Sequence, residues 1–266
     1  MLLIKYVILG IIQGFTEPLP ISSSGHLKIF KSILNTEVLN DINFEIIVNF
    51  GSLIAILFLY KKEIINIIKD FFLYIKSKKK EYKLNYNYAL FIIIGTIPAA
   101  ISGIFIKDII DKYFTIKLVG LMFIITSIFL YLIKDIKGKK TKKDMSFIDA
   151  LKIGLFQAIA LLPGISRSGA TVVGGMLNNL TKETALNYSF MLYIPISIAS
   201  LILGIKDFFS NPNLNMLFIP YFVSMIISGI VTYFSAKIFI NIFKKGKVIH
   251  FSIYCFLLGL IVILFI

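Results

Sequence analysis

The chain has 266 residues, of which 58% are hydrophobic, with a mean hydropathy of +0.88 and a formal charge of +14. A soluble domain of this length sits near about 45–50% apolar, and here apolar runs at 50–60, 89–106, 116–133 and 248–266 recur with few charges. That excludes a string of water-soluble domains and leaves one all-α, polytopic membrane domain.

In chain order, a short helix over 2–17 precedes a break at 18–24 and a second short helix over 25–34. Neither is long enough to span, so the pair reads as a re-entrant helix–loop–helix. Lys5 makes a weak basic region, and Gln13, Glu17, Pro18 and Pro20 interrupt the apolar run, so no cleavable signal peptide is expected. Spans follow at about 44–60, 88–106 and 116–133, then a basic linker. The stretch 62–83 carries Ile64, Ile65, Ile68, Phe71, Phe72 and Ile75 between lysines and reads as an amphipathic helix on the inner leaflet.

The pattern then restarts, with short helices at 147–162 and 169–180 around a break at 163–168, and spans at about 185–205, 217–243 and 248–266. Gly10, Gln13, Ile21, Ser22, Ser24 and Gly25 recur as Gly154, Gln157, Ile165, Ser166, Ser168 and Gly169, always 144 residues later (157 − 13 = 169 − 25 = 144). The sequence therefore divides into repeat one (1–133), a cytoplasmic linker (134–147) and repeat two (148–266). Three spans per repeat is an odd number, so the second repeat enters with opposite orientation.

Charge gives the same orientation. Lysines crowd the loop after the first span, the linker and the loop before the last span. The alternate loops at 107–114 and 206–215 are balanced by Asp108, Asp111 and Asp207. By the positive-inside rule the basic loops are cytoplasmic, both termini are outside, and the two breaks approach each other from opposite sides. This placement of the lysines also removes nucleic acid as the partner implied by the charge. The single cysteine, Cys255, lies in the last span and forms no internal disulfide.

The first break reads Gln13-Gly14-Phe15-Thr16-Glu17-Pro18-Leu19-Pro20-Ile21-Ser22-Ser23-Ser24-Gly25-His26. Gln13 and Glu17 share a helix face. A carboxylate at membrane depth is costly and reads as functional. Prolines stop the helix, and the serines can cap the next one, whose N-terminus attracts anions. The second break, Pro163-Gly164-Ile165-Ser166-Arg167-Ser168-Gly169-Ala170-Thr171, holds the sole arginine of a chain that otherwise uses lysine. A guanidinium grips an oxyanion bidentately. Together the breaks offer a carboxylate, hydroxyls, an imidazole, a guanidinium and two positive helix ends, which is the equipment of phosphoryl transfer. Glu45 at the mouth of a span and His250 outside any motif read as structural.

On these residues the chain resembles the undecaprenyl-diphosphatases of the bacitracin-resistance family. The motif elements are Gln13, Glu17, Pro20, Ser22, Ser23, Gly25 and His26, then Pro163, Gly164, Ser166, Arg167, Ser168 and Gly169, with Thr171 in its usual place. The resemblance implies hydrolysis of undecaprenyl diphosphate to undecaprenyl phosphate, the carrier for peptidoglycan precursors, at the outer face of the bacterial cytoplasmic membrane. It also implies bacitracin resistance and a divalent cation, Mg2+ or Ca2+. The roles expected are Ser23 as nucleophile, with phospho-histidine or direct water attack left open, and His26 as general acid or base. Glu17 with Gln13 would hold the cation or tune His26. Arg167, Ser166, Ser168, Gly169 and Thr171 would bind the diphosphate with Ser22, Ser24 and Gly25. Three positions depart from the pattern. Gln13 stands where some members have an acid, Pro18 where an aromatic is usual, and Cys255 follows Tyr254 where an arginine is frequent, with Lys247 as a possible replacement base. The alternatives are a polyprenyl-phosphate transporter or flippase, since inverted repeats are transporter architecture, and an inactive paralogue. Small residues on several spans permit a homodimer.

Overall fold

The computed structural model describes residues 2–34, 42–210 and 213–266, with the side chains of 42 and 106–113 outside that description. Asp108 and Asp111, read above as balancing charges, fall in the latter group. Repeat one contains α1 (Leu2–Thr16), α2 (Ser23–Ile33), α3 (Ile42–Leu59), α4 (Lys61–Ser77), α5 (Lys80–Tyr113) and α6 (Ile116–Leu132). Repeat two contains α7 (Phe147–Ile159), α8 (Arg167–Leu177), α9 (Lys182–Phe209), α10 (Leu214–Lys244) and α11 (Ile249–Phe265). The chain is thus an all-α, multi-pass membrane protein. α5, α9 and α10 are long and apolar enough to cross alone. α3, α6 and α11, at 18, 17 and 17 residues, rise about 25–27 Å each and sit at the short end of spanning length.

Local chemistry sets the helix starts. Thr115, Ser146, Ser166 and Thr181 each accept a backbone N–H from the first turn of the helix they precede, and Ser146 forms a full capping box with Asp149. The bounds of α5 and α4 depart most from the sequence reading. α5 begins at Lys80 rather than near 88, and runs through part of the segment read as a loop at 107–114. Residues 80–88 contain no glycine or proline, so the helix continues beyond its apolar portion; the hydrophobic run measured only the membrane-facing length. The amphipathic stretch also stops earlier, at Ser77, where Lys78 turns left-handed (φ 56°). α4 leaves α3 at 75°.

The repeats pack by exchange. α1 lies on α10 of repeat two, and its counterpart α7 lies on α5 of repeat one, the counterpart of α10. A Cβ on Gly10 would stand 2.8 Å from the Ser224 carbonyl oxygen, and one on Gly154 would stand 2.6 Å from that of Gly95. Such approaches need glycine. Equivalent helices run antiparallel. Ser127 meets Ser252 at 3.1 Å while Gly120 packs on Gly259, so α6 and α11 run in opposite directions. Tyr60 bonds Asn187 and Gly204 packs on Ile46, so α3 and α9 do as well. This is the inverted relation that an odd number of spans requires.

Long apolar side chains such as Ile104, Phe105, Leu203, Phe234 and Leu264 face outward, as expected of a surface bathed in lipid. The basic segments gather at one end. Lys142 pairs with Glu63 at 3.3 Å and lies over Tyr88, Lys244 pairs with Glu183 at 2.7 Å, and the linker bridges backbone to backbone from Lys140 to Thr181. Burial there pushes the Lys142 ammonium below the ordinary lysine range, and the Glu63 charge opposes that shift.

Candidate active site

Both breaks are built alike. At the first, the last turn of α1 closes with the Glu17 N–H on the Gln13 carbonyl at 2.9 Å, and Pro18 and Pro20 have no N–H to continue. Ser22 then adopts φ 66°, a left-handed conformation that strains a residue with a side chain, and its hydroxyl accepts from Gly25 N–H at 3.3 Å. At the second, Gly164 takes φ 99° and Ser166 accepts from Gly169 N–H at 3.1 Å. Ser22 and Ser24 are 3.4 Å apart, Ser166 and Ser168 3.2 Å. The Thr126 hydroxyl ties the second break to α6, donating to the Gly164 carbonyl at 3.0 Å and accepting from Ser166 N–H at 3.2 Å.

The breaks meet. The Ser168 hydroxyl donates to the Leu19 carbonyl at 2.9 Å, and a Cβ on Gly25 would lie 3.0 Å from Gly164 Cα. Arg167 Nη2 reaches Glu17 Oε1 at 2.9 Å, joining the two repeats by an ion pair whose carboxylate is 7% exposed and whose guanidinium is 27% exposed. The other carboxylate oxygen, Oε2, accepts from Gln13 Nε2 at 2.9 Å and from the Ser23 hydroxyl. Arg167 is held in turn by Ser197, 3.2 Å from Nη1, and by the Tyr193 ring, whose centroid lies 4.7 Å from its central carbon. Tyr193 donates to Asn49 Oδ1 at 2.8 Å. Beside this set lies a narrow cleft lined by Glu17, Pro18, Arg167, Ser168, Ser189 and Tyr193 among others. The N-termini of α2 and α8 converge here, and their positive ends favour an anion.

The remaining candidates stand further back. His26 is buried, with Nδ1 at 2.6 Å from the Ser22 carbonyl and Nε2 at 2.7 Å from the Tyr254 hydroxyl. A carbonyl can only accept, so Nδ1 carries a proton, and in the neutral imidazole Nε2 accepts from Tyr254. The histidine makes no hydrogen bond to Ser23, whose hydroxyl goes to Glu17. Thr171 is buried and bonds the Arg167 carbonyl at 2.9 Å and Ser189 at 2.6 Å, supporting the first turn of α8 from behind. Cys255 is fully buried with Sγ 4.0 Å from the Pro20 carbonyl, outside the cleft lining. Lys247 is exposed in the α10–α11 turn, eight residues from Cys255 and about 12 Å along the helix. Glu45 pairs with Lys31 at 2.8 Å, and exposed His250 lies 3.3 Å from the Lys247 carbonyl.

Sequence reasoning missed Ser189, Tyr193, Ser197, Thr126 and the His26–Tyr254 bond. A signal existed for one of them: Asn49 and Tyr193, which touch, are separated by the repeat offset (193 − 49 = 144).

Among the described residues no three of His, Cys, Asp and Glu gather as a metal cluster. Glu17 is the one carboxylate of the hydrogen-bonded set, and its two oxygens accept from Gln13 Nε2, the Ser23 hydroxyl and Arg167 Nη2, so a cation here would displace one of these donors. A single carboxylate fits only a hard cation that takes most of its ligands from phosphate and water, as Mg2+ commonly does.

A family model described as bacitracin resistance protein BacA matches residues 6–261, which include both breaks. The chain belongs to this family. It is 43% identical to Undecaprenyl-diphosphatase 2 of Bacillus thuringiensis (strain Al Hakam), over 99% of this chain and 97% of that protein. Identity is also 43% to Undecaprenyl-diphosphatase 1 of Bacillus licheniformis, covering 100% and 98%, and 39% to Undecaprenyl-diphosphatase of Oceanobacillus iheyensis, covering 99% and 96%. In this BacA-family chain, Glu17, Ser23 and Arg167 all fall within the matched region, two at the first break and one at the second.

Proposed function

We propose that the chain hydrolyses undecaprenyl diphosphate to undecaprenyl phosphate and inorganic phosphate. That reaction returns the lipid carrier to peptidoglycan synthesis and confers bacitracin resistance. Family membership and relatives named for this activity support the reading. The structural observation that carries it is the single hydrogen-bonded set formed by Ser23, Glu17 and Arg167 across two breaks at the wall of a cleft.

In this reading Ser23 Oγ attacks the terminal phosphorus, and its proton passes to the Glu17 carboxylate, which already accepts the hydroxyl's hydrogen bond. The new Ser23 O–P bond forms as the anhydride P–O bond breaks, and undecaprenyl phosphate leaves. Water then cleaves the phosphoserine, releasing phosphate and restoring the hydroxyl. Arg167 moves from its pairing with Glu17 to the terminal phosphate, steered by Ser197 and the Tyr193 face. The starts of α2 and α8, with Ser22, Ser24, Gly25, Ser166, Ser168 and Gly169, accommodate the remaining phosphate oxygens. His26 holds the strained Ser22 carbonyl in place, and Thr171 holds the start of α8. Gln13 and Glu17 would hold a divalent cation, Mg2+ or Ca2+, which supplies positive charge to the diphosphate oxygens. The end of the molecule that gathers the lysines faces the cytoplasm, so the termini and the α2 side face outward.

The test is phosphate release from undecaprenyl diphosphate by purified protein in detergent, with and without chelator, beside Ser23→Ala. Metal-dependent release that the substitution abolishes is expected. A folded, metal-supplied wild type that releases no phosphate would refute the proposal.

A further inference from the structure

Away from the cleft, the elbow where α4 turns off α3 has a chemistry of its own. The 75° bend opens a second, open recess of about 380 Å3 between α3, the start of α4 and α10, lined by Phe58, Tyr60, Lys61, Lys62, Glu63 and Tyr233 among others. Its one acid, Glu63, is already neutralised by Lys142. Its cations are not: among the described residues no carboxylate lies within ion-pair distance of Lys61, Lys62 or the neighbouring Lys237. Two of them instead rest on aromatic faces. The Lys61 ammonium lies 4.4 Å from the Phe58 centroid, and Lys237 lies 4.1 Å from that of Tyr233 while donating to its hydroxyl at 2.6 Å.

Immediately beside these charges the surface is apolar. Phe58 on α3 and Phe234 on α10 are more than half exposed. Along α4, Ile65, Ile68, Phe72 and Ile75 are exposed as well, so this helix lies on the apolar boundary rather than in water. Three unneutralised cations above an apolar wall match an amphiphile with an anionic head. Aromatic rings at the junction suit an interfacial depth.

We propose that the α3–α4 elbow is a binding site for a phospholipid with an anionic headgroup, held by Lys61, Lys62 and Lys237 with its acyl chains along Phe58 and Phe234. The site is separate from the cleft at Glu17 and Arg167, shares no lining residue with it, and does not depend on the hydrolase reading.

The chain has no tryptophan, so a Phe234→Trp protein carries a local reporter beside the recess. Reconstituted in vesicles of phosphatidylcholine doped with brominated phosphatidylglycerol, its fluorescence should be quenched at about tenfold lower mole fraction than by brominated phosphatidylcholine. Lys61→Gln, Lys62→Gln and Lys237→Gln together should remove that preference, while Lys78→Gln, Lys79→Gln and Lys80→Gln together should leave it. Retained quenching by brominated phosphatidylcholine shows that each variant is still inserted; if the elbow triple is not, its three single substitutions are read instead, each expected to weaken the preference. Glycerol phosphate in solution should not compete. The proposal is overturned by quenching without headgroup preference, by equal losses in both lysine sets, or by competition from glycerol phosphate, which would make it a site for free phosphate.

Discussion

Glu17 receives three donors on two oxygens: Gln13 and Ser23 on one, Arg167 on the other. Glu17→Gln keeps the volume but supplies an amide nitrogen where one of these donors points, and in the proposed mechanism it removes the proton acceptor for Ser23. Phosphate release should fall by about 10²–10⁴-fold, the usual worth of a positioned base. Arg167→Lys keeps the charge yet cannot serve Glu17, Ser197 and the Tyr193 face together, so a loss of about 10²-fold or more is expected in the same assay. The positioning bond from Tyr254 to His26 is tested by Tyr254→Phe, which should reduce release by less than tenfold and leave KM unchanged. A loss as large as that of Ser23→Ala would instead give Tyr254 a direct part. Glu17 and Arg167 were legible in the sequence because charged groups at membrane depth are rare and these lie in repeated helix breaks. Tyr193 and Ser197 were not, because a tyrosine and a serine in a spanning helix have many ordinary uses, and only the crossing of α3 and α9 aims them at the guanidinium.

At the scale of elements, glycine contacts between α1 and α10 and between α7 and α5 do the work that apolar burial does in water. Gly10→Val and Gly154→Val each force a branched side chain against a neighbouring backbone oxygen and should destabilise by about 1–3 kcal/mol in denaturant unfolding in detergent. Gly103, whose added Cβ would come no closer than 3.9 Å to Leu161, is the contrast. Gly103→Ala should be neutral or stabilise by up to about 1 kcal/mol, from helix propensity alone. Spans and breaks were readable as apolar runs and as proline, glycine and serine punctuation. The ends of α5 were not, since hydrophobicity marks where a helix meets lipid and not where its backbone hydrogen bonds stop. The constant offset of 144 residues anticipated the matched caps at Ser22 and Ser166, because the same local sequence makes the same local bond.

For the whole molecule, the inverted repeat places the lysine-bearing segments at one end and brings two breaks from opposite halves into contact. The proposed sidedness rests on the first property. Cys255 is buried and out of reach of an impermeant maleimide, so single introduced cysteines report position. Lys79→Cys should label only in opened or inverted membranes, and Ser210→Cys in intact cells; the reverse pattern would invert the topology. The second property carries the proposed function, in which Glu17 from repeat one and Arg167 from repeat two act as one catalytic unit. The measurement that tests it most directly is a double-mutant cycle in phosphate release from undecaprenyl diphosphate, using Glu17→Gln, Arg167→Gln and the pair, each confirmed as folded. Residues that act together lose their effect together, so the double substitution should be within about threefold of the worse single one. Losses that multiply would mean that the two breaks act independently, and the shared site would be wrong.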